Sequence, residues 1–206
     1  MILDVLMVGP IGTNCYIFGC EETGEAAVID PGDEADRILT ACAKRSLKVV
    51  KILNTHGHVD HVGANKRMKE VTGAELSIHE ADLPMLAHLS EIGRMWGMRV
   101  DNSPAPDRFL KDGDVLTVGK LTLTVLGTPG HSKGGVSLLA EKVVFVGDTL
   151  FAGSIGRTDL PGGDYNELIA SVRKKLFTLP DNTTAYPGHG PETTIGQEKK
   201  YNPFFH

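Results

Sequence analysis

Apolar and polar positions fall into short blocks along this chain, and the period of the blocks changes. Residues 2–8, 15–20 and 26–29 are short apolar runs separated by Gly-rich or acidic turns, which predicts three opening strands in a meander. Between 33 and 46 the period lengthens. There Ala35, Ile38, Leu39, Cys42 and Ala43 recur at helical spacing, behind an acidic first turn that suits the positive end of a helix dipole. Residues 48–54 return to strand, 62–72 to helix and 74–78 to strand. A second strand-rich block is predicted at 114–118, 120–126, 135–139 and 143–146, followed by a helix at 165–177 and a strand at 183–186. Strand blocks interleaved with helices predict an α/β class in which helices cover the sheets. The pattern by itself fits several α/β folds.

The least regular stretch is 83–108. It gathers Met85, Met95, Trp96 and Met98 with Gly93, Gly97 and the turn Ser103-Pro104-Ala105-Pro106, and Met and Trp make adaptable apolar surface. Two short helices packed onto the domain are the expectation, with a lid over a site as the alternative. His79 and His88 have no partner motif and are expected to be structural or exposed. The tail Asn202-Pro203-Phe204-Phe205 is expected to dock its aromatic rings on the domain.

With 206 residues, 41% of them hydrophobic, the chain is long enough for one substantial core. No Ser/Pro linker, heptad or short-period repeat divides it, so a single domain over 1–206 is expected. Lys+Arg number 21 against 26 Asp+Glu, a net charge of -5, which argues against a broad phosphate-binding face and hence against a nucleic-acid partner. The three cysteines, Cys15, Cys20 and Cys42, form no Cys-x-x-Cys pair. Their odd number suits reduced thiols in a cytosol, and Cys15 and Cys20 are expected to pack in a strand. Met1-Ile2-Leu3-Asp4 carries an acid where a signal peptide needs basic residues, and no run is long enough to span a bilayer. A soluble cytoplasmic protein without a membrane partner is the expectation.

Candidate chemistry sharpens the picture. Thr55-His56-Gly57-His58-Val59-Asp60-His61 places three imidazoles and a carboxylate directly after the apolar run 49–53. Imidazole nitrogen and carboxylate oxygen are the donors that zinc and iron accept, so this is a candidate metal site at the end of a strand. Gly57 is expected to permit a sharp bend that lets His56 and His58 converge while Asp60 and His61 turn toward a second position. Three more candidate ligands sit in Gly-marked turns after apolar or β-branched runs: His131 after Thr128-Pro129-Gly130, Asp148 after Val146-Gly147, and His189 after Tyr186-Pro187-Gly188. Loops at strand ends line the crevice of an open sheet, where residues remote in sequence meet. Structural zinc favours closed, Cys-rich sites, so a metal held for stability or partner binding alone, without catalysis, fits this His/Asp set poorly.

The series His56-x-His58-x-Asp60-His61, His131, Asp148, His189 resembles the metallo-β-lactamase superfamily along the whole chain. Within it, Gly147-Asp148-Thr149-Leu150-Phe151-Ala152-Gly153, then Gly156-Arg157-Thr158-Asp159 and Pro187-Gly188-His189-Gly190-Pro191, are similar to short glyoxalase II (hydroxyacylglutathione hydrolase-like) proteins. The resemblance implies a four-layer αββα sandwich. It also assigns His56, His58 and His131 to a first metal, Asp60, His61 and His189 to a second, and Asp148 to a bridge. Two divalent ions are implied, zinc first, with iron or manganese accepted by the same donors.

The implied reaction is thioester hydrolysis, with a hydroxide shared by the two ions attacking the thioester carbonyl and Asp60 helping to orient it. The partner is a small-molecule thioester such as S-lactoylglutathione. Full-length glyoxalase II enzymes carry an additional C-terminal helical domain with basic residues for glutathione, and no such domain is expected in this chain. A persulfide dioxygenase with one non-haem iron, placed by resemblance at His56, His131 and Asp148, is the alternative. Flavodiiron reductases fit less well, since their pattern has Glu at position 58. Lys133 is expected as a solvated loop residue rather than a substrate contact, Arg157 and Asp159 as an internal pair that stiffens their loop, and Tyr186 as packing.

Overall fold

Strand β2 (Thr13–Gly19) is buried at every position, as a strand must be when both faces of its sheet are covered. The computed structural model, which describes residues 1–95 and 97–206, places it second in a six-stranded sheet. That sheet runs β1 (Ile2–Val8), β2, β3 (Glu25–Ile29), β4 (Lys48–Leu53), β5 (Glu75–His79) and β6 (Arg108–Leu110), in sequence order. The first three strands pair antiparallel and the rest parallel. Parallel pairing requires crossovers. Helix α1 (Ala35–Lys44) joins β3 to β4; α2 (Val59–Val62) and α3 (Asn65–Thr72) join β4 to β5; α4 (Leu83–Ala87) and α5 (Leu89–Met95) lie between β5 and β6.

The second sheet holds β7 (Val115–Val118), β8 (Leu121–Gly127), β9 (Val136–Ala140) and β10 (Val143–Gly147). A small hairpin, β11 (Leu150–Phe151) and β12 (Ser154–Ile155), comes next, then α6 (Tyr165–Ser171), which runs into a π-helical turn at Val172–Leu176. Strands β13 (Thr184–Pro187) and β14 (Thr193–Thr194) complete the sheet in the order β14-β13-β10-β9-β8-β7, and α7 (Ile195–Tyr201) follows.

Period-2 alternation sorts side chains into layers. Tyr16, Phe18, Ala27 and Ile29 face Leu123, Val125, Leu138 and Phe145 between the two sheets. Their neighbours Cys15, Ile17, Ala26 and Val28 point the other way, onto Ile38 and Cys42 of α1 and Met68 of α3. On the far side, Val144 and Val146 of β10 meet Val172, Leu176 and Ile195. The result is helix, sheet, sheet, helix: the αββα sandwich. No described helix is long and apolar enough to cross a membrane.

Several elements depart from the predicted ones. The helix predicted at 62–72 is two helices, because the Ala64 N–H donates to the Pro31 carbonyl (2.9 Å) instead of continuing the ladder. Asp60 and His61 thus lie inside a one-turn helix rather than before one. The helix predicted at 165–177 changes to π-helical winding at Val172. Strands β6, β11, β12 and β14, of two or three residues each, and helix α7 were not predicted. In 83–108, Leu86, Leu89 and Met98 bury against Val59, Val62 and Ile78, so this stretch packs as two short helices, while Met95 is exposed. Trp96, placed by the sequence in the same apolar wall, lies outside the described residues. Of the tail aromatics, Phe205 docks edge-on against Phe177 with ring centroids 4.7 Å apart, while Phe204 stays exposed. Cys15 lies in β2 and Cys20 directly after it; all three cysteines are free and buried.

Candidate metal centre

Four strand ends deliver the candidate ligands to one place. His56 and His58 follow β4, with Asp60 and His61 one turn on in α2; His131 follows β8, Asp148 follows β10 and His189 follows β13. Ligand atoms of His56, His58 and His131 lie within 4.8 Å of one another, and so do those of Asp60, His61 and His189. Asp148 reaches both groups. Its Oδ1 is 3.4 Å from His61 Nε2, and its Oδ2 is 3.6 Å from His131 Nε2 and 3.6 Å from His189 Nε2. All seven sequence-predicted residues are therefore brought together.

Hydrogen bonds at the backs of the rings fix which nitrogen faces the site. The Arg157 carbonyl, an acceptor only, takes the Nδ1 proton of His131 at 2.7 Å, which leaves Nε2 as the lone pair facing the site, 2.9 Å from His58 Nδ1. Asp30 does the same for His61, accepting from Nδ1 at 3.0 Å. It also accepts from the Thr55 hydroxyl at 2.7 Å. With its proton committed to Asp30, Thr55 Oγ1 accepts from His56 Nδ1 at 3.1 Å, and His56 Nε2 is turned inward. One buried carboxylate thus sets two tautomers, as carboxylates behind metal-ligating histidines commonly do. Asp30 lies within 4.8 Å of His56 and His61 as well, yet Thr55 and His61 already occupy both its oxygens.

Further polar residues hold the turns in register. Asp82, fully buried, accepts from Gly57 N (2.9 Å), Ser132 Oγ (2.7 Å) and Gly134 N (2.7 Å), tying the His58 turn to the His131 turn. Burial pushes its carboxyl up despite those three donors. Gly57 has no left-handed backbone but lies close to its neighbours: a β-carbon there would come within 3.1 Å of Asp82 Cβ and 3.3 Å of Met85 Cβ. Asn14 Nδ2 bonds the Pro187 and Gly190 carbonyls (3.0 and 2.8 Å), and the Tyr16 hydroxyl bonds Pro187 O at 2.6 Å, which clamps the His189 turn onto β2. Asp60 Oδ2 accepts from Thr13 Oγ1 at 3.2 Å and lies 3.1 Å from His189 Nε2. The sequence reading missed Asp30, Asp82, Thr13 and Asn14. Asp30-Pro31-Gly32 directly after a strand was the one available signal.

Whether the site fits metal ions is decided by its inward atoms. His56 Nε2, His61 Nε2 and Asp148 Oδ1 are buried without a hydrogen-bond partner among the described residues, a costly arrangement unless cations take those lone pairs. Burial holds His56 well below its ordinary pKa and, with the neighbouring His131, lowers His58 to about 4, so both are neutral and ready to ligate. Burial also disfavours charge on His61, but Asp148, Asp60 and Asp30 more than offset it and raise its pKa well above the ordinary value. Asp148, pushed up by burial, is brought below the usual carboxylate range by His61, His131 and His189. Two histidine-rich triads joined by one carboxylate make a donor set that suits two divalent ions.

Above these residues opens a cleft of about 470 Å³, walled by Ile11, Ile92, Phe151, Ile155 and Leu160. Arg157 also lines it and pairs in bidentate fashion with Asp159, at 2.8 Å for both bonds, as the sequence suggested. Tyr186 packs, stacked on Phe145 with centroids 5.8 Å apart. His79 caps the turn at Ala81, and His88 is exposed.

A family model described as the metallo-beta-lactamase superfamily matches residues 8–189. A protein of Haemophilus influenzae named hydroxyacylglutathione hydrolase GloC is 39% identical, over 99% of this chain and 97% of its own. Among solved structures, that of the BLEG-1 B3 metallo-beta-lactamase superposes with a TM-score of 0.92 at 38% identity, covering 99% of both chains. TTHA1623, solved in a di-iron-bound form, gives 0.90 at 39% identity, covering 98% of this chain and 99% of its own.

Proposed function

The chain belongs to the metallo-β-lactamase superfamily, and from that premise we propose that it is a metal-dependent thioester hydrolase of the hydroxyacylglutathione hydrolase kind. The observation that carries the reading is Asp148 standing between the two triads, with one oxygen toward His61 and the other toward His131 and His189. His56, His58 and His131 would hold one cation, Asp60, His61 and His189 the other, and Asp148 both. When bound, a pair of divalent ions would lower the pKa of water to about 7, making hydroxide available near neutral pH, and would stabilise charge developing on a carbonyl oxygen. Zinc, iron and manganese all suit these donors.

The chain's own residues do the rest. Asp30, Thr55 and the Arg157 carbonyl keep three imidazole lone pairs aimed inward, so no reorientation is required during the reaction. Asp60, positioned by Thr13, accepts a hydrogen bond from the attacking water and orients it toward the acyl carbon. The apolar walls of Ile11, Ile92, Phe151, Ile155 and Leu160 give the acyl group an apolar surface to lie against. No cysteine is among the described residues lining the cleft, so no thiol nucleophile is offered there.

Likeness to the BLEG-1 enzyme favours a second reading, β-lactam hydrolysis. One panel separates the possibilities. Protein carrying its native metal is assayed against S-lactoylglutathione, a related neutral 2-hydroxyacyl thioester, a chromogenic cephalosporin and glutathione persulfide, with and without oxygen. Thioester hydrolysis at the same rate in both atmospheres is expected, because hydrolysis has no redox step. Turnover of the cephalosporin alone, or oxygen uptake driven by glutathione persulfide without thioester hydrolysis, would overturn the proposal.

A further inference from the structure

If the site hydrolyses thioesters, as proposed above, the walls of its cleft determine which ones. Ile11 comes from the turn between β1 and β2, Ile92 from α5, Phe151 and Ile155 from the β11–β12 hairpin, and Leu160 from the loop before α6. Separate segments thus converge to build an apolar surround, so its character is not an accident of one stretch. Apart from the metal-candidate residues at its floor, the cleft has a single ionisable side chain among its described lining residues, Arg157.

That guanidinium is already matched. Arg157 Nε and Nη2 each lie 2.8 Å from an oxygen of Asp159, the fork geometry in which both carboxylate oxygens are used. Lys133, two residues beyond His131, is exposed and does not line the cleft. A carboxylate brought against these walls would lose water without gaining a cation. Glutathione carries two carboxylates and an ammonium group, and apart from the Arg157 guanidinium and the Ser154 hydroxyl the described wall residues have only apolar side chains to set against them.

We propose that the cleft selects thioesters of uncharged thiols over glutathione thioesters, and that the Arg157–Asp159 pair withholds the guanidinium from anionic substrates. The chemistry at the floor is indifferent to this choice, since the bond broken is the same acyl–sulfur bond and the thiolate leaves from the same position. Selection arises from the part of the substrate lying along the walls. The class named is a short acyl thioester of a neutral amide-bearing thiol, for which N-acetylcysteamine is the simplest probe.

The test compares S-lactoyl-N-acetylcysteamine with S-lactoylglutathione on the metal-loaded protein, so that acyl group and reacting bond stay constant. A kcat/KM higher for the neutral substrate, by about tenfold, is expected; one unfavourable wall contact of roughly 1.4 kcal/mol has that effect. Equal or faster hydrolysis of S-lactoylglutathione would overturn the inference and leave the thioesterase reading intact, whereas hydrolysis of neither would overturn the reading itself. Calorimetry with the unreactive thioethers S-butyl-N-acetylcysteamine and S-butylglutathione should give the same order without turnover, and the reverse order would contradict it. Asp159→Asn releases Arg157 and should shift the ratio of the two kcat/KM values toward glutathione by about tenfold. An unchanged ratio would remove the pair from the account.

Discussion

Asp148 Oδ1 and His61 Nε2 face each other at 3.4 Å, both buried and neither in a well-formed hydrogen bond. Two inward lone pairs that close, with no hydrogen bond between them, suit a cation held by both. The same carboxylate turns its second oxygen toward His131 and His189. The two triads are therefore one unit joined through Asp148, and its removal should affect both.

Asp148→Ala should lower metal content from two equivalents toward one or none. Without the shared carboxylate, two like-charged cations are less well screened from each other, so the more weakly held one leaves first. Turnover should fall on the order of 100-fold or more. Elemental analysis of the purified variant checks this, and near-normal metal content would count against it.

Asp82→Asn should weaken the three-histidine site selectively. Asp82 joins the turn of His58 to the turn of His131 through three accepted hydrogen bonds. An amide presents a donor where one of those carboxylate oxygens accepted, leaving a buried N–H or hydroxyl unmatched at a cost of about 1–3 kcal/mol. Zinc affinity at His56, His58 and His131 should drop about 10–100-fold, with the Asp60, His61 and His189 site retaining its affinity. Calorimetric zinc titration separates the two, and unchanged affinity at both would contradict this role.

Metal loading should depend on pH differently at the two sites. His56 and His58 sit below their ordinary pKa, through burial and neighbouring imidazoles, and are neutral already near neutrality. In His61 and His189 burial works against charge, but nearby carboxylates outweigh it and raise both pKa values, so a cation must displace protons there. The sign follows: affinity for the cation at Asp60, His61 and His189 rises as pH goes from about 6 to about 8, while affinity at the other site changes less. Titrations in buffers of different ionisation enthalpy count the protons released, and equal pH slopes at the two sites would be the contrary result.

The strand and helix blocks and the candidate ligands were legible because their signals are local, while the sandwich itself was implied by the resemblance rather than by the pattern, which fits several α/β folds. A His or Asp in a Gly-marked turn after an apolar run can be seen without knowing what faces it. Asp82 carries no such mark, and Asp30, though it opens the Pro31-Gly32 turn after β3, was not singled out; the importance of both lies in partners 25 to 52 residues away along the chain. Arg157 stood out for its side chain, yet its carbonyl orients His131, and main-chain roles leave no trace in residue type. The break between α2 and α3 depends on the Pro31 carbonyl capturing the Ala64 N–H, a tertiary contact that overrides helical periodicity. Gly188 is similar: a β-carbon there would overlap Asp148 Oδ1 and His61 Cε1, so the residue is fixed by the site rather than by its turn.

The central claim is that one chain holds two cations across Asp148. Calorimetric titration of zinc into chelator-stripped, refolded-competent wild-type protein tests it without reference to any substrate. Saturation at two equivalents per chain is the result expected from His56, His58 and His131 on one side and Asp60, His61 and His189 on the other. Saturation at one equivalent, with the protein folded throughout, would contradict the two-cation centre.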